Sequence, residues 1–347
     1  MTRAYERIPR MRFQIGVALL IVVHIVILFA GFFAPYGYAS QNRALPFAPP
    51  VRIHFIDAQG RIHFRPFVYK LVPRPGAFNE YEEDRTAMFP LRLFVADERA
   101  TNLGVRSSKL HLFGVDKPAQ IFLAGTDGYG RDEFSRLLFG GQISLFAGLL
   151  GAAISLSLGT ALGAVAGYFG VWVDDTIMAA CEIFLCVPWL YLLLAVRALL
   201  PLRIEAGVVF MLLVLLLGVV GWARPARLLR GVVLSTKRRD YVTAARAFGA
   251  SNFYLLRIHI LPSAASVLVT QLALYVPQYV LAEVTLSFFG LGVSEPVPSW
   301  GNMLATLQQG YVLESCWWMF APAAALIFMF FGYHRILSRY APNTPQI

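Results

Sequence analysis

The sequence predicts an all-α membrane protein of six transmembrane helices, with a mainly β segment inserted after the first helix. Of its 347 residues, 57% are hydrophobic and only 14% are charged, whereas a soluble domain carries about 25% charged residues. The apolar residues form long blocks, so lipid is the expected solvent for most of the chain. The blocks long enough to span a membrane are approximately 13–33, 143–169, 176–196, 206–222, 263–286 and 317–333.

The first apolar block follows a short basic stretch that contains Arg3, Arg7, Arg10 and Arg12. Roughly 21 residues are enough to cross a ~30 Å hydrocarbon core in a helix. A cleaved signal peptide is the alternative, but its apolar region would have only about 7–15 residues, with a small-residue cleavage site after it. Neither feature is clear here, so we expect an uncleaved first helix.

Residues 35–141 differ in composition, since they are polar and rich in strand patterns. Alternating residues at 51–55 and 61–65 flank the turn sequence Asp57-Ala-Gln-Gly60, which predicts a β-hairpin. Weaker strand candidates lie at 91–95 and 109–113. The predicted domains are therefore 1–34 with the first helix, 35–141 as the mainly β insertion, and 142–347 as a five-helix core.

The placement of basic residues predicts the orientation of the chain. Arginine and lysine are dense before the first span, between the fourth and fifth spans, and after the sixth. Basic loops face the cytoplasm, so we expect both termini inside and 35–141 outside. The net charge of +10 thus indicates membrane topology, and no nucleic-acid partner is expected. The basic residues after the fourth span are Arg224, Arg227, Arg230, Lys237, Arg238, Arg239, Arg246, Arg257, Arg335 and Arg339.

Residues 240–262 predict two short helices at the membrane surface. Gly249 is typical of a helix that ends in a left-handed residue, and Ser251 can cap the next helix. Pro262 marks the start of the fifth span.

Val242, Ala245 and Phe248 recur at three-residue spacing, which predicts an apolar stripe on the first of these helices. A basic helix lying on anionic lipid is the plainer interpretation. It does not explain the small residues Ala244 and Ala245 beside the corner at Gly249. Small residues let another surface approach, so a docking site for a partner is favoured.

The spacing Ala244-Ala245-x3-Gly249-x12-Pro262 resembles the cytoplasmic signature loop of permeases in bacterial ATP-binding-cassette (ABC) importers. Other stretches resemble the second, C-type permease of dipeptide, oligopeptide and nickel importers. These stretches are 125–132 with Ser135-Arg136, 167–170 with Trp172 and Asp174, 286–292, and 298–302.

The resemblance implies a type I importer permease fold in the bacterial inner membrane. It implies a heterodimer with a second permease, two ATPase subunits, and an extracytoplasmic substrate-binding protein. Di- or oligopeptides are the implied substrates, with nickel or another small solute as the alternative. The coupling loop would be 237–262, with Thr243, Ala244, Ala245, Phe248, Gly249 and Pro262 as its contact and shape residues.

Two departures from the family pattern stand out. The family usually has Glu where this chain has Thr243, which removes one negative charge from the loop. The segment 35–124 is also much longer than the usual linker.

The sequence lacks the glycine-rich loop ending in Lys and Ser or Thr that grips nucleotide phosphates. The glycines of 125–130 are a weak match to a nucleotide-binding turn, without the required strand–helix unit. We therefore expect no enzymatic activity and no cofactor bound by this chain, with ATP and magnesium held by partner ATPases.

Glu182 and Glu283 fall inside predicted spans. An ionised group at the centre of a membrane costs on the order of 2.5–3.5 kcal/mol, so such residues face protein or water. They either line the pathway or pin helices together, and pinning is favoured. The same ambiguity applies to Gly148, Gly151, Gly159 and Gly163, which allow close helix packing or line the path.

Two other functional classes fit the pattern less well. A secondary transporter or channel predicts inverted repeats and paired intramembrane charges, and neither is apparent. A membrane-anchored enzyme or sensor predicts clustered ligands or a nucleophile in 34–124; His54 and His63 could meet across the hairpin, but a metal needs more ligands. Trp317 and Trp318 predict an interfacial aromatic belt, and Asp174 and Asp175 predict loop charges.

Overall fold

A computed structural model describes residues 2–77, 79–96, 110–199 and 205–340. The chain divides into two compact units. The helical unit comprises Met1–Leu20, Leu145–Leu286 and Phe328–Ile347, and the mixed unit comprises Ile21–Ser144 and Ser287–Ile327. The predicted domain boundaries stay predictions, and Lys109, the first residue of the predicted strand 109–113, lies outside the described residues.

Helices account for most of the described chain. The N-terminal helices are α1 (Thr2–Leu28) and α2 (Ala30–Phe33). After the strands come α3 (Glu133–Phe169), α4 (Val171–Cys186), α5 (Trp189–Ala198), α6 (Ala206–Val220), α7 (Ala223–Lys237), α8 (Asp240–Ala247), α9 (Asn252–Tyr254), α10 (Ala265–Phe288), α11 (Trp300–Ala305), α12 (Gly310–Ser315) and α13 (Ala321–Tyr340).

Within the described residues, three helical segments are long and apolar enough to cross a membrane: Glu133–Phe169, Asn252–Phe288 and Trp317–Arg335. A fourth results if α6 and α7, which meet at a bend of 40°, count as one span. The predicted first span falls on α1, whose apolar part Gln14–Leu28 is shorter. The predicted span 176–196 is divided between α4 and α5. The protein is thus a helical, multi-pass membrane protein, and six crossings stay a prediction.

The strands lie in the mixed unit, and they confirm the predicted hairpin. Strand β1 (His54–Ile56) pairs antiparallel with β2 (Ile62–Pro73), which pairs with β3 (Tyr81–Pro90). The weaker candidates are also strands, because β4 (Arg92–Ala96) pairs with β5 (Leu110–Gly114).

The Asp57 carboxylate organises the turn between β1 and β2. It accepts hydrogen bonds from the Gln59 and Arg61 backbone N–H groups at 2.9 and 2.8 Å. The hydrogen bond from His63 lowers the pKa of Asp57 to about 2. The imidazole of His54 instead contacts Glu83 at 2.9 Å, so the two histidines do not form a metal site together.

The small residues of α3 lie at helix contacts in the helical unit. A Cβ added to Gly148 would fall 2.9 Å from the Val276 carbonyl oxygen of α10, and one added to Gly163 would fall 2.4 Å from the Ala226 carbonyl oxygen of α7. A Cβ on Gly159 would fall 2.8 Å from the Trp222 carbonyl oxygen, whereas one on Gly151 would meet the side chains of Leu217 and Tyr279 at 3.1 Å. The structure thus places Gly148, Gly159 and Gly163 at close backbone contacts, as the packing interpretation predicts, since only glycine lets the backbones approach so closely.

Replacing Gly163 by alanine tests this contact. Gly163→Ala should destabilise the purified protein by about 1–3 kcal/mol, because the new methyl group overlaps the backbone of α7. Thermal unfolding in detergent measures the effect. Gly207→Ala is the matched control, since a Cβ at Gly207 meets nothing within 4 Å, and alanine favours a helix by ~1 kcal/mol. Equal melting temperatures for the two variants would contradict the assignment.

Candidate functional site

The predicted corner at Gly249 is present and is held by the end of α8. The Phe248 N–H donates to the Ala244 carbonyl at 3.0 Å, and the Ala250 N–H donates to the Ala245 carbonyl at 3.1 Å. Gly249 has a φ of +86°, and a Cβ there would meet no atom within 4 Å. The left-handed backbone, and not a lack of space, therefore requires glycine here.

The second predicted helix begins as expected but is not short. Ser251 caps it by accepting a hydrogen bond from the Tyr254 N–H at 3.3 Å. From α9 the chain continues through a π-turn (Leu255–Ile260) and a 3-10 turn (Leu261–Ala264) directly into α10. Pro262 lies at the start of the 3-10 turn. Its missing N–H is tolerated there, because the hydrogen-bond pattern changes from one helix type to the next.

The three residues of the predicted apolar stripe on α8 differ in exposure. Val242 is fully buried and Ala245 is half-buried, but Phe248 is 92% exposed. Residue 248 is the C-cap of α8, where the helix ends and its face no longer follows the three-residue repeat. The result is a buried base beneath α8 and a large aromatic side chain projecting from the corner.

The base of this corner is a hydrophobic cluster within the helical unit. Val242 packs there with residues from the end of α3, from α7 and from the π-turn. The other buried members are Ala164, Tyr168, Val233, Leu255 and Ile260. The corner therefore rests on packed helices.

Two helices meet at the corner: α8 forms its first arm and α9 begins its second arm. Tyr168, near the end of α3, hydrogen-bonds to both arms. Its hydroxyl donates to the Asn252 side chain at 2.6 Å and accepts from the Arg246 guanidinium at 3.0 Å. The Lys237 ammonium hydrogen-bonds the Tyr168 carbonyl and lies 5.0 Å from the centre of its ring. The sequence motif 167–170 indicated only a turn, because these partners are 69 to 84 residues away along the chain.

A second polar contact links α4 to α7 in the helical unit. The Arg230 guanidinium forms a two-point ion pair with Asp174, with one N–O distance of 2.5 Å. Asp174 is only 8% exposed, so its prediction as a loop charge is wrong. Bidentate pairing offsets the cost of burying the carboxylate.

The remaining predicted site residues differ in exposure. Thr243, Ala244 and Pro262 are exposed on the corner and its second arm. Glu182 is exposed on α4, whereas Glu283 is completely buried in α10. Burial of Glu283 favours helix pinning, while the exposure of Glu182 leaves either of its predicted roles open.

The segment 125–132 takes part in an ion-pair network inside the mixed unit. Arg131 donates to Asp127 at 2.6 Å and to Glu295 at 2.5 Å, and Arg136 donates to Glu295 at 2.7 Å. Both guanidinium groups are almost fully buried. The motif therefore fixes the loop after α10 to the start of α3.

Glycines in this segment serve close packing. A Cβ on Gly130 would lie 1.8 Å from the Asn42 carbonyl oxygen, and one on Gly125 would lie 2.6 Å from the Ala48 carbonyl oxygen. The Trp318 indole covers Gly125 and donates to the Thr126 carbonyl at 3.1 Å. Trp318 is thus buried, so the interfacial-belt prediction fails for it, while Trp317 is exposed.

Burial also affects the carboxyl group that precedes α3. Asp132 accepts hydrogen bonds from the Ser135 N–H and hydroxyl at 2.8 and 2.5 Å. Desolvation nevertheless raises the pKa of Asp132 to about 7.

Within the described part of the chain, no three His, Cys, Asp or Glu side chains are grouped so that they could hold a metal ion.

The Tyr168 hydroxyl offers a direct test of the corner's support. Tyr168→Phe removes the bonds to Asn252 and Arg246 and keeps the ring beside Lys237, so we expect faster trypsin cleavage at Arg246 and Arg257. About 0.5–1.5 kcal/mol per lost hydrogen bond predicts several-fold acceleration. Limited proteolysis followed by mass spectrometry measures it. Tyr241→Phe is the control, because this exposed tyrosine lies on α8; equal cleavage rates would remove Tyr168 from this role.

Comparison with known proteins identifies the family. Residues 159–343 match the family model described as binding-protein-dependent transport system inner membrane component. The chain is 37% identical over 204 residues to a dipeptide transport system permease protein of Bacillus subtilis, covering 57% of this chain and 60% of that protein. It is 32% identical to the oligopeptide transport system permease protein of the same species, covering 65% and 72%. A probable D,D-dipeptide permease of Escherichia coli is 36% identical, covering 62% and 70%. This chain therefore belongs to the family of binding-protein-dependent transport system inner membrane components.

Proposed function

We propose that this chain is one of two permease subunits of an ABC importer, and that it forms half of the translocation path for di- or oligopeptides. Relatives named as dipeptide, oligopeptide and glutathione permeases support a peptide substrate. Nickel or another small solute is the alternative cargo, and a secondary transporter or channel is the alternative mechanism. The exposed corner at Phe248 and Gly249 is unexplained by a secondary transporter or channel, whereas it does not distinguish between the cargoes of an importer.

The observation that carries this proposal is a 92% exposed phenylalanine fixed on a buried base. Exposed aromatic side chains on ordered backbone are typical anchors of protein interfaces. The exposed residues Thr243 and Ala244 add little bulk beside Phe248, so a groove on an ATPase subunit could close around it. Phe248 is the inserted side chain, and Gly249 sets its direction.

Motion of the corner would pass to the membrane helices by two routes. The second arm of the corner continues into α10 as one helical segment, Asn252–Phe288. The first arm is tied to the end of α3 through Arg246 and Tyr168. Rigid connections of this kind convert closure of the ATPases into movement of whole helices, as alternating access requires.

Membrane topology follows from the same assignment. A corner that docks on ATPases lies in the cytoplasm, so both termini lie in the cytoplasm with six crossings, and 35–141 is extracytoplasmic. There the β segment would meet the substrate-binding protein or the second permease. ATP and magnesium belong to the two ATPase partners, and this chain binds no cofactor and hydrolyses no ATP.

The buried Glu283 is a helix-pinning residue in this proposal. A carboxyl group enclosed within α10 and its neighbours is removed from any aqueous path. Glu182, exposed on α4, is the better candidate for a surface that the second permease or the path covers.

Replacement of Phe248 tests the docking step. Phe248→Ala should weaken the binding of the ATPase subunits to the permease pair by about tenfold or more, as expected for an aromatic anchor. It should leave the melting temperature unchanged, because the side chain is exposed. Affinity co-purification at graded ATPase concentrations measures the loss. Phe64→Ala is the matched control, since Phe64 is fully exposed in the β segment.

Replacement of Gly249 tests the transport role itself. A β-branched residue at a φ of +86° costs ~1–2 kcal/mol and distorts the corner. Gly249→Val should therefore reduce ATP-driven uptake of radiolabelled dialanine into proteoliposomes by about tenfold or more.

Gly60→Val is the strain-matched control for this experiment. Gly60 has a φ of +81° and open space around it, but it lies in the β1–β2 turn. Normal uptake by Gly249→Val would overturn the proposed coupling. ATP-driven nickel uptake without dialanine uptake by the unmodified transporter would replace peptide by nickel as the cargo.

A further inference from the structure

A cavity of about 140 Å³ lies within the helical unit, beside the bend between α6 and α7. Its walls come from the end of α4, from the bend, and from the middle of α10. The apolar lining includes Phe184, Leu185, Val187, Leu217 and Val220. The polar lining consists of Arg224, Tyr275, Gln278 and Tyr279.

Two tyrosines of α10 form one wall of this cavity. Their rings stack with centres 5.3 Å apart, and the Tyr279 hydroxyl donates to the Ser155 hydroxyl at 3.0 Å. Gly221 makes room for this contact, because a Cβ there would lie 1.6 Å from the Tyr279 oxygen. Tyr275 is only 3% exposed, yet its hydroxyl has no hydrogen-bond partner among the described residues. A buried hydroxyl without a partner is costly, which indicates that something else satisfies it.

The charge of the cavity has one sign. Arg224 forms no ion pair with a described residue, although it lies close enough to interact electrostatically with Tyr275 and Tyr279. None of the described residues that line the cavity is acidic. Arg224 is exposed in this chain, and an arginine beside apolar helices is expensive unless that exposed side faces water, another protein or a ligand. Arginine, tyrosine hydroxyl and glutamine amide can all donate hydrogen bonds, so the complementary ligand is an anion.

The geometry points to a binding site in this cavity for the terminal carboxylate of a transported peptide whose last side chain is apolar. The guanidinium of Arg224 pairs with the carboxylate, while Tyr275 and Gln278 donate to its oxygens. The apolar lining from α4 and α6 receives the last side chain. This inference rests on the proposed function and deepens it, because it states which end of the substrate this permease recognises.

The size of the cavity agrees with a ligand end and not with a whole ligand. Sites that enclose complete drug-sized molecules have volumes of roughly 300–1,000 Å³. The cavity of about 140 Å³ holds one residue, so the rest of the peptide would extend beyond it. Discrimination would therefore depend on the terminal group and not on peptide length.

Direct binding to the complete transporter tests the inference. The permease pair with its ATPases is placed in nanodiscs without the substrate-binding protein, and radiolabelled alanyl-leucine is titrated. Unlabelled alanyl-leucine and its C-terminal amide compete for the site. We expect the free acid to compete about tenfold better than the amide, as expected for a charge-assisted hydrogen bond.

Two variants remove the proposed contacts without removing bulk from the helices. Tyr275→Phe keeps the ring stacked on Tyr279, and Arg224→Gln removes the positive charge. Each should reduce the preference for the acid at least about fivefold, and Arg224→Lys should keep part of it. Tyr129→Phe and Arg43→Gln are the controls, since both residues are exposed and lie in the mixed unit.

The outcomes separate this inference from the proposed function. Equal competition by acid and amide, or an unchanged preference in both Tyr275→Phe and Arg224→Gln, overturns the carboxylate site. ATP-driven uptake of alanyl-leucine, measured in proteoliposomes with the substrate-binding protein added, tests the proposed function separately. If peptide is taken up but the free acid is not preferred in binding, only the carboxylate site is ruled out. If no ATP-driven peptide uptake occurs, the proposed function itself is ruled out.

Discussion

Close approach of α3 to α7 and α10 is the constraint on which the helical unit depends. At Gly159, Gly163 and Gly167 the backbone of α3 lies so close to the chain of α7 that an added Cβ would fall within 3 Å of a carbonyl oxygen. Because α3 is held there along its length, Tyr168 near its end reaches Arg246 on α8 and Asn252 on α9. The corner is therefore supported by a residue that lies 78 to 84 positions earlier in the sequence. Glycine packing thus gives the corner at Gly249 a rigid support.

Local signals in the sequence were sufficient for local structure. The helix end at Gly249, the cap at Ser251 and the β1–β2 hairpin are each set by residues within a few positions, and each is confirmed. The spacing of Val242, Ala245 and Phe248 did not show which of them is exposed, since a three-residue repeat extends only as far as the helix that carries it. The role of Tyr168 was missed because its partners come from distant segments.

Side-chain burial was the harder property to predict from sequence. Asp174 was expected to be an exposed loop charge, and Trp318 was expected to belong to an interfacial aromatic belt. Both side chains are buried. In each case a partner distant in the sequence explains the outcome: Arg230 pairs with Asp174, and the Thr126 carbonyl accepts the indole N–H. Such partners are invisible to composition and spacing. The glycines of 125–130 likewise meet distant segments, since Gly125 lies against the Ala48 carbonyl and Gly130 against the Asn42 carbonyl.

The polar groups of the helical unit separate into those with partners and those without. Arg230 is balanced by Asp174, and Lys237 by the Tyr168 carbonyl and ring. Both cations find their partners within this chain, so these contacts stabilise the fold and require no ligand. Arg224 and Tyr275 have no such partner among the described residues, although they lie together at one cavity. Tyr275 is buried and Arg224 is exposed, so the cost of an unmatched donor falls on the tyrosine hydroxyl. A ligand anion held between the two side chains, as inferred above, would supply the missing acceptor.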